Sequence, residues 1–496
     1  MGTSDLPRRL HSKYNPQKEA SRYIESLDIS FKPRFVVVTE PGESFLASVI
    51  RSVYPDSKII AIRYQDEYFE ESDNLWDAVW RPLSGGDVGT FLFNLIPDEL
   101  IPLTLFLPWK PSDTFWPEKA EMVWHSIASL FRLQKSIMYT RTHFGKRWFS
   151  NMIANSLSFR TILQPVYTRK PVLLAAAGPS LEKILPTDRE LRENIFLCAV
   201  SSAVSCLAAH NCVPDLCIAT DGGYWAKMLF QNLAETVPVA IPMDAAVPSG
   251  LCDRNPILPL SYGSHLESKL FDLCGITPEK AVRNGSVAGT AALYALSHTC
   301  SNVYAAGLDL SVSDSFSHAR PHPSDVLYET TSDRFSPLQT KLTGDNFQNL
   351  SLGMYADWFS SRKQDFKERF FRLNPSGTVL RGIQSATTGD IPHMADKTEK
   401  DKSLTFQSIL SEPERKEKIA GWLSGLCDSL ESETDAIFHE PVFPEIFQLV
   451  SYTDYIQLLK KEREPTGAAE YTVLYASLAK KTVSFLRKLK ERTGYK

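Results

Sequence analysis

Short polar turns follow apolar segments in the middle of the chain, and they hold residue types that could bind an anion. The apolar segment Val172–Ala176 leads into Gly178-Pro179-Ser180, where a helix is predicted to begin. Ser180 is a residue type that caps helices, and the free N–H groups of a helix N-terminus attract phosphates and carboxylates. A plain structural turn uses the same residues, so this spacing alone favours the two interpretations equally.

Other turns of this kind follow along the chain. Ser201 and Ser202 come after a second apolar segment, Asp221 comes after a third, and Asn284-Gly285-Ser286 precedes a helix predicted at Val287–Thr299. Ser286 can cap that helix in the same way as Ser180. The sequence therefore predicts small polar residues at the ends of several neighbouring strands.

A titratable pair follows the apolar segment Val303–Ala306. Asp309 comes directly after it, where a buried carboxylate can orient hydroxyl groups, and His318 lies on the next loop. Histidine titrates near neutrality and can serve as a general base. An isolated loop histidine is more often an ordinary surface residue, but the position after a strand end favours a functional one. Walker-type, H-E-x-x-H and G-x-S-x-G motifs are absent from the sequence, which argues against P-loop enzymes, zincins and α/β-hydrolases.

The elements that must position these residues alternate between strand and helix patterns. An N-terminal βαβ pattern begins at Phe35–Val38, and the central region repeats the alternation more strongly. After the charged stretch Asp396–Lys402 only amphipathic helices are predicted, for example at Glu470–Arg492. The predicted fold is α/β, with a Rossmann-like, mostly parallel central sheet, an N-terminal α/β domain and a helical C-terminal domain. Ligands of such sheets bind beyond the carboxyl ends of the strands.

We expect three domains, because 496 residues correspond to about three units of roughly 150 residues. The predicted boundaries place the N-terminal α/β domain at 1–164, the central catalytic domain at 165–395 and the helical domain at 396–496. The N-terminal turn Glu40-Pro41-Gly42-Glu43 lacks the clustered glycines of a dinucleotide fingerprint. The first domain is therefore predicted to be a scaffold or a docking unit.

Charge and cysteine usage indicate the class of protein. The net charge of −4 argues against non-specific binding of nucleic acid, which usually needs a basic excess. The eight cysteines form no C-x-x-C pair, and most lie in apolar segments, which favours buried thiols over a metal site or disulfides. No signal peptide is evident before Tyr14, and the apolar stretch Thr90–Trp109 is interrupted by charges and prolines. These features predict a cytoplasmic protein without a transmembrane segment.

The polar turns occur in an order that resembles one known family. The segments that carry the resemblance are Leu10–Ala20, Gly178-Pro179-Ser180-Leu181, Pro214-Asp215…Asp221, Gly285-Ser286-Val287-Ala288, Gly307-Leu308-Asp309-Leu310…Ser317-His318-Ala319 and Leu373–Thr378. In this order they resemble the motility-associated factor (Maf) glycosyltransferases, which share a domain with archaeal 6-hydroxymethylpterin diphosphokinases. The resemblance covers most of the chain and is weakest after Asp396.

The resemblance implies a cytoplasmic enzyme that transfers a nonulosonic, sialic-acid-like sugar from a CMP-activated donor to Ser or Thr of flagellin. The central domain would then be similar to that of bacterial sialyltransferases. The residues that would bind the nucleotide-sugar are Gly178, Pro179, Ser180, Ser201, Ser202, Asp221, Asn284, Gly285 and Ser286. His318 would act as the catalytic base or acid, and Asp309 or Asp221 would stabilise or orient the sugar. No metal ligand and no resident cofactor are implied, although Mg²⁺ could assist.

Two other functions remain open at this point. One is transfer of pyrophosphate from ATP to hydroxymethylpterin, for which Asp215, Asp221 and Asp309 are the available Mg²⁺ ligands. The other is a catalytically silent flagellar interaction protein. This second function is kept open because Ala176-Ala177 and Leu308 depart from the residues that the family usually has at these positions.

Overall fold

The fold is described from a computed structural model of the chain. The residues that the structure describes are 10–84, 87–185, 187, 189–311, 316–342, 346–375, 377–392, 404–432, 440–464 and 467–494. The charged stretch predicted at Asp396–Lys402 lies outside these residues.

Strands and helices alternate through the first two thirds of the described chain. The strands are β1 Phe35–Thr39, β2 Lys58–Ile62, β3 Ala78–Trp80, β4 Thr104–Pro108, β5 Ile162–Leu163, β6 Val172–Ala175, β7 Phe196–Val200, β8 Leu216–Ile218, β9 Val239–Pro242, β10 Ile257–Ser261, β11 Glu279–Lys280, β12 Val303–Ala306, β13 Phe370–Leu373, β14 Gln384–Ala386 and β15 Phe406–Gln407.

Helices connect these strands and make up the described C-terminal part. The α-helices are α1 Pro16–Glu25, α2 Phe45–Val53, α3 Val88–Leu95, α4 Lys110–Phe115, α5 Pro117–Ser158, α6 Arg189–Asn194, α7 Val204–Ala209, α8 Leu251–Arg254, α9 His265–Cys274, α10 Val287–His298, α11 Pro323–Thr331, α12 Leu338–Leu342, α13 Asn346–Ser360, α14 Gln364–Arg369, α15 Glu412–Ser432, α16 Val442–Glu462 and α17 Ala468–Arg492. Short 3-10 helices occupy Glu70–Leu75, Pro82–Ser84, Asp98–Leu103, Pro179–Lys183, Ser201–Ala203, Tyr224–Phe230 and Thr388–Asp390.

The chain folds into two compact units. The first comprises Met1–Gly145, Leu430–His439 and Phe447–Ser484. The second comprises Lys146–Ser429, Glu440–Ile446 and Phe485–Lys496. The predicted three-domain division gives the C-terminal helices a domain of their own, whereas the fold distributes them between the two units.

The first unit contains a four-stranded parallel sheet in the order β3-β2-β1-β4. Successive residues of β1 point to opposite faces, and each face is buried. Val36 and Val38 pack in one apolar cluster with α1 and α2, whereas Phe35 and Val37 pack in another with α3 and the start of α5. A parallel sheet that is covered on both faces explains why β1 is a continuous apolar run.

A buried arginine closes the carboxyl edge of this first sheet. Arg63 follows β2 directly, and none of its side chain is exposed. Its guanidinium donates to Glu40 Oε1 at 3.1 Å, to the Gly42 carbonyl at 2.7 Å and to Asp73 Oδ1 at 2.9 Å. Glu40, which follows β1, also accepts the Tyr64 N–H at 2.6 Å. The turn Glu40–Gly42 thus binds a side chain of its own unit. That this domain is a scaffold or a docking unit stays a prediction.

The second unit contains an eleven-stranded sheet. Its order is β14-β13-β12-β6-β7-β8-β9-β10-β5-β15, and β11 pairs with β10. All of its described pairings are parallel except that of β15 with β5. Strands β6, β7 and β12 are buried along their whole length in the central apolar core. The predicted α/β class with a mostly parallel central sheet is confirmed.

Several elements of the sheet were missed by sequence patterns. Strands β10, β13 and β14 had no counterpart in the prediction. β13 and β14 are short and β14 is largely exposed, whereas β10 is as long and as buried as the predicted β7. All eight cysteines are free thiols, and each is buried except Cys300. In the described part of the chain, no helix is both long enough and apolar enough to cross a lipid bilayer.

Candidate functional site

The order of the strands places a crevice between β6 and β12. From β6 the chain adds β7, β8, β9 and β10 on one side, and it then returns to place β12 on the other side of β6. In open parallel sheets, ligands bind outside the carboxyl ends of the strands at such a reversal of direction. The residues that follow β6 and β12 are therefore the first candidates for a site.

The loops after β6 and β12 are in close contact. The Gly178 N–H donates to the Gly307 carbonyl at 2.7 Å, and the Ala176 N–H donates to the Ala306 carbonyl at 2.8 Å. A Cβ atom added at Gly178 would lie 2.5 Å from the Gly307 oxygen and 2.6 Å from Asp309 Oδ2. Gly307 has a φ of +69°, which other residues rarely adopt. Both glycines are therefore required for this approach of the two backbones.

Asp309 binds the turn at Ser180 rather than an exposed group. Ser180 donates its N–H to Asp309 Oδ2 at 2.7 Å and its hydroxyl to Asp309 Oδ1 at 2.5 Å. Both residues are almost fully buried, with 1% exposure each. Asp309 was predicted to orient hydroxyl groups, and the hydroxyl group that it binds is that of Ser180.

The prediction that Ser180 caps a helix is wrong. The helix that begins at this turn is the five-residue 3-10 helix Pro179–Lys183, and Gly178 occupies its N-cap position. The Ser180 N–H, which was expected to face a ligand, is already bonded to Asp309. The assignment of Gly178, Pro179 and Ser180 to a nucleotide-sugar site stays a prediction. Ser180 and Gly178 both use hydrogen-bonding groups within the protein, since the Gly178 N–H donates to the Gly307 carbonyl.

His318 is fixed beside the same turn. The N–H of its neighbour Ala319 donates to the Ala177 carbonyl at 2.8 Å. The His318 Nδ1 atom lies 2.9 Å from Ser317 Oγ, and burial of the ring lowers the pKa of His318. A neutral imidazole at pH 7 is able to accept a proton, as general base catalysis requires.

A second histidine, missed by the sequence analysis, stacks on His318. The His322 and His318 rings have centroids 4.2 Å apart and planes inclined by 12°. Burial and the neighbouring His318 lower the pKa of His322 to about 3. His322 caps α11, where its side chain accepts from the Ser324 N–H. The spacing of four residues between two histidines was the one available signal for this pair.

Ser201, Ser202 and Asp221 lie at the carboxyl ends of the next two strands. Ser201 is buried and Ser202 is half-buried at the start of the 3-10 helix after β7. Asp221, after β8, is exposed, and its Oδ1 atom accepts the Gly223 N–H at 2.7 Å. Their positions in the sheet agree with the prediction, but no described contact joins them to Gly178.

Asn284, Gly285 and Ser286 form the predicted turn before α10. Ser286 caps this helix by accepting the Gly289 N–H at 3.1 Å, as expected. A Cβ atom added at Gly285 would lie 2.9 Å from a ring carbon of Tyr355. Burial and the charge of Asp221 raise the pKa of Tyr355. Tyr355 of α13 therefore lies near both Gly285 and Asp221, and sequence patterns offered no signal for it.

An ion pair beside this turn was also missed. Arg283 Nη2 lies 2.6 Å from Asp244 Oδ2, and the Arg283 guanidinium stacks on the Tyr262 ring at 4.4 Å. Asp244 and Tyr262 follow β9 and β10, and the Ala246 N–H donates to the Asp221 carbonyl at 2.9 Å. Asp244 could have been found in the sequence, because it follows a strand in the same way as the predicted residue Asp221.

The three carboxylates considered for Mg²⁺ do not converge. Asp215 precedes β8, at the amino edge of the sheet, and pairs with Arg192 at 2.8 Å. Asp221 and Asp309 follow strands at the opposite, carboxyl edge. In the part of the chain that the structure describes, no group of three or more His, Cys, Asp or Glu residues is placed to hold a metal ion.

Known proteins resemble the chain at the level of both sequence and fold. The family model described as 6-hydroxymethylpterin diphosphokinase MptE-like matches residues 146–315. A protein of Treponema pallidum (strain Nichols), described as an uncharacterized protein, is 32% identical over 379 residues, which are 76% of this chain and 85% of that protein. The chain belongs to the family of this Treponema pallidum protein. A second such protein of that organism is 28% identical over 123 residues, covering 24% of the chain and 56% of the relative.

The structure of a Maf glycosyltransferase from Magnetospirillum magneticum AMB-1 has the same fold. The match covers 96% of this chain and 83% of that protein, with a TM-score of 0.51 and 10% sequence identity. The Maf-type fold and the MptE-like domain at 146–315 confirm the resemblance that the ordered turns predicted.

Proposed function

We propose that this chain is a glycosyltransferase that uses a nucleotide-sugar donor. In the form that the sequence motifs favour, it transfers a nonulosonic sugar from a CMP-activated donor to Ser or Thr of flagellin. The Maf-type fold and the MptE-like domain support a transferase of this kind. The observation that carries the proposal is the hydrogen bond from Ala319 to Ala177, which holds His318 beside the Gly178 turn at the switch between β6 and β12.

In this proposal the donor nucleotide lies over the carboxyl ends of β6, β7 and β8. Its phosphate would lie near Gly178, Ser202 and Gly285, and the capped N-terminus of α10 provides a favourable field for negative charge. Asp221 and Tyr355 lie on the side of Gly285 and would contact the sugar.

His318 supplies the base for the transfer step. When Nδ1 carries the ring proton and donates it to Ser317, Nε2 is the accepting nitrogen. The acceptor oxygen forms a bond to the anomeric carbon of the sugar, and its proton passes to Nε2. The bond from that carbon to the phosphate oxygen breaks, its electron pair leaves with the phosphate, and CMP departs.

Transfer to co-expressed flagellin, measured by intact mass, tests the base. Replacing His318 with Gln is expected to reduce the rate by about 100-fold or more, the range of general base catalysis. CMP affinity, measured by calorimetry, should remain within about twofold. The matched control is His265→Gln, since His265 is an exposed histidine of the same unit. If the His318→Gln variant transferred the sugar at the wild-type rate, His318 would not be the base.

A second function is favoured by the description of the family model. The MptE-like match suggests transfer of pyrophosphate from ATP to a hydroxymethylpterin. Asp215 and Asp221 lie at opposite edges of the sheet, which argues against a shared Mg²⁺ site for this reaction. Titration with CMP, Mg-ATP and hydroxymethylpterin separates the functions. Binding of CMP alone supports the glycosyltransferase, binding of Mg-ATP with the pterin replaces it, and binding of none supports the catalytically silent protein.

A further inference from the structure

The ion pair of Asp244 and Arg283, with Tyr262 beneath it, lies next to the proposed donor site and has no part in the mechanism above. We call these three residues the Arg283 cluster. Asp244 is 5% exposed at its side chain, whereas Arg283 is 53% exposed. One end of the pair is therefore anchored inside the unit, and the other end faces solvent beside Asn284.

Arg283 has hydrogen-bonding capacity to spare. Its Nη2 atom donates to Asp244, and its planar guanidinium rests on Tyr262 at 4.4 Å. Among the described residues, the Nε and Nη1 atoms have no hydrogen-bond partner. A guanidinium that is held on one side by a buried carboxylate and on one face by an aromatic ring has lost most of its rotamer freedom. It presents its remaining donors in a fixed fork, which matches a carboxylate.

Two buried polar atoms around Arg283 also lack partners. Asp244 Oδ1 is a buried acceptor and Asn284 Nδ2 is a buried donor, and neither makes a hydrogen bond within the described residues. Buried polar groups are rarely left in this state, because an unsatisfied buried donor or acceptor destabilises the fold. A ligand that carries both acceptors and donors would satisfy these atoms.

The surrounding charges select between two kinds of anion. Besides Asp244, the buried Glu267 lies near Arg283, and burial together with the charge of Asp244 raises the pKa of Glu267 to about 6. At pH 7 these carboxylates oppose a doubly charged anion more strongly than a singly charged one. The phosphate of a nucleotide-sugar is a diester, which has one charge but no hydrogen for Asp244 Oδ1, whereas a carboxylate with neighbouring hydroxyl groups supplies such a hydrogen.

We infer that the Arg283 cluster binds the carboxylate of an acidic sugar, with Asp244 as the residue that positions Arg283. This inference rests on the proposed function and adds a residue that decides which class of donor the site accepts. Arg283 directly precedes the Asn284-Gly285-Ser286 turn, and the Asp244 loop is bonded to Asp221 through Ala246. The cluster is therefore continuous with the residues proposed for the nucleotide-sugar.

Calorimetry with two probes tests the inference. CMP contains the nucleotide alone, and CMP-N-acetylneuraminic acid adds a sugar with a carboxylate. The Arg283→Gln variant is expected to bind CMP-N-acetylneuraminic acid about 10- to 100-fold more weakly than the wild type, because a charge-assisted pair is lost. It should bind CMP within about twofold of the wild type. Arg283→Lys should recover only part of the loss, since lysine keeps the charge without the planar fork.

Arg254→Gln is the matched control. Arg254 is half-exposed in the same unit and pairs with Glu235 at 3.4 Å, so this variant removes one surface arginine without touching the cluster. Equal affinities of Arg283→Gln and wild type for both probes would overturn the inference and leave the proposed function standing. An equal loss for both probes would also overturn it, by assigning Arg283 to the phosphate. If the wild type binds neither probe, the proposed function and the inference fail together.

Discussion

At the switch between β6 and β12, residues of the two loops form hydrogen bonds with each other. Asp309 accepts two hydrogen bonds from Ser180, and a Cβ atom added at Gly178 would lie 2.6 Å from the same carboxylate. A site residue that is this deeply engaged contributes to stability as well as to any chemistry. Changes at Asp309 should therefore be measured first as changes in folding.

Replacing Asp309 with Asn is expected to lower the free energy of unfolding by about 2–3 kcal/mol. An amide cannot accept the Ser180 N–H and hydroxyl bonds with the strength of a buried carboxylate. Urea denaturation followed by circular dichroism measures the effect. Asp272→Asn, at an exposed position of α9, should change the same quantity by less than about 0.5 kcal/mol. If the two variants are equally stable, the Asp309 contacts contribute nothing to folding.

The stacked histidines predict a pH dependence of stability. Burial lowers the pKa of His322 to about 3 in the folded chain, whereas an unfolded histidine titrates near 6.5. Between these values the unfolded state binds more protons than the folded state, so the free energy of unfolding falls as the pH falls below about 6.5. The expected slope from His322 is about 1.4 kcal/mol per pH unit.

Comparing wild type with His322→Asn at pH 7, 6 and 5 isolates this contribution. Asn keeps a capping side chain at the start of α11 but does not titrate. The difference in free energy of unfolding between the two proteins should shrink or reverse in favour of the variant toward pH 5. A difference that stays constant with pH would show that His322 titrates normally in the folded protein.

At the scale of elements, the approach of the β6 and β12 loops depends on glycine. Replacing Gly178 with Ala places a methyl group 2.5 Å from the Gly307 oxygen, so the two loops must separate. We expect a loss of about 1–3 kcal/mol in the free energy of unfolding, the usual cost of overpacking. Gly353→Ala in α13 is the control, since its added Cβ meets no atom within 4 Å. That variant should be neutral or up to about 1 kcal/mol more stable. Equal effects at both positions would contradict the close approach.

The elements that could be predicted from sequence were those with strong local patterns. Apolar runs such as Val172–Ala176 and capped starts such as Ser286 identified β6 and α10, because burial on both faces and a helix cap leave local signals. Strand β14 was missed, since pairing with β13 at an edge of the sheet requires few apolar residues. The same limit applies to the site. Tyr355 and Arg283 reach it through long-range packing, which no local spacing reveals.

At the scale of the whole molecule, the two compact units should respond separately to a core change. Arg63→Met leaves Glu40 buried without its partner, which typically costs about 3–5 kcal/mol. Hydrogen exchange read by mass spectrometry should show faster exchange in β1–β4, with unchanged protection in β6–β10. Arg51→Met, which removes a half-exposed arginine paired with Asp77, should change neither region. Faster exchange throughout both sheets would show that the two units unfold as one.

The buried Arg63 has a consequence for how the two sheets differ. In each unit the carboxyl edge of a parallel sheet offers polar turns, but in the first unit a guanidinium from the same chain already fills this edge. Because the Arg63 guanidinium is part of the chain, it fills this edge without a diffusing molecule and independently of metabolite supply. For the proposed function, this leaves the carboxyl edge of the second sheet as the place where a donor would bind.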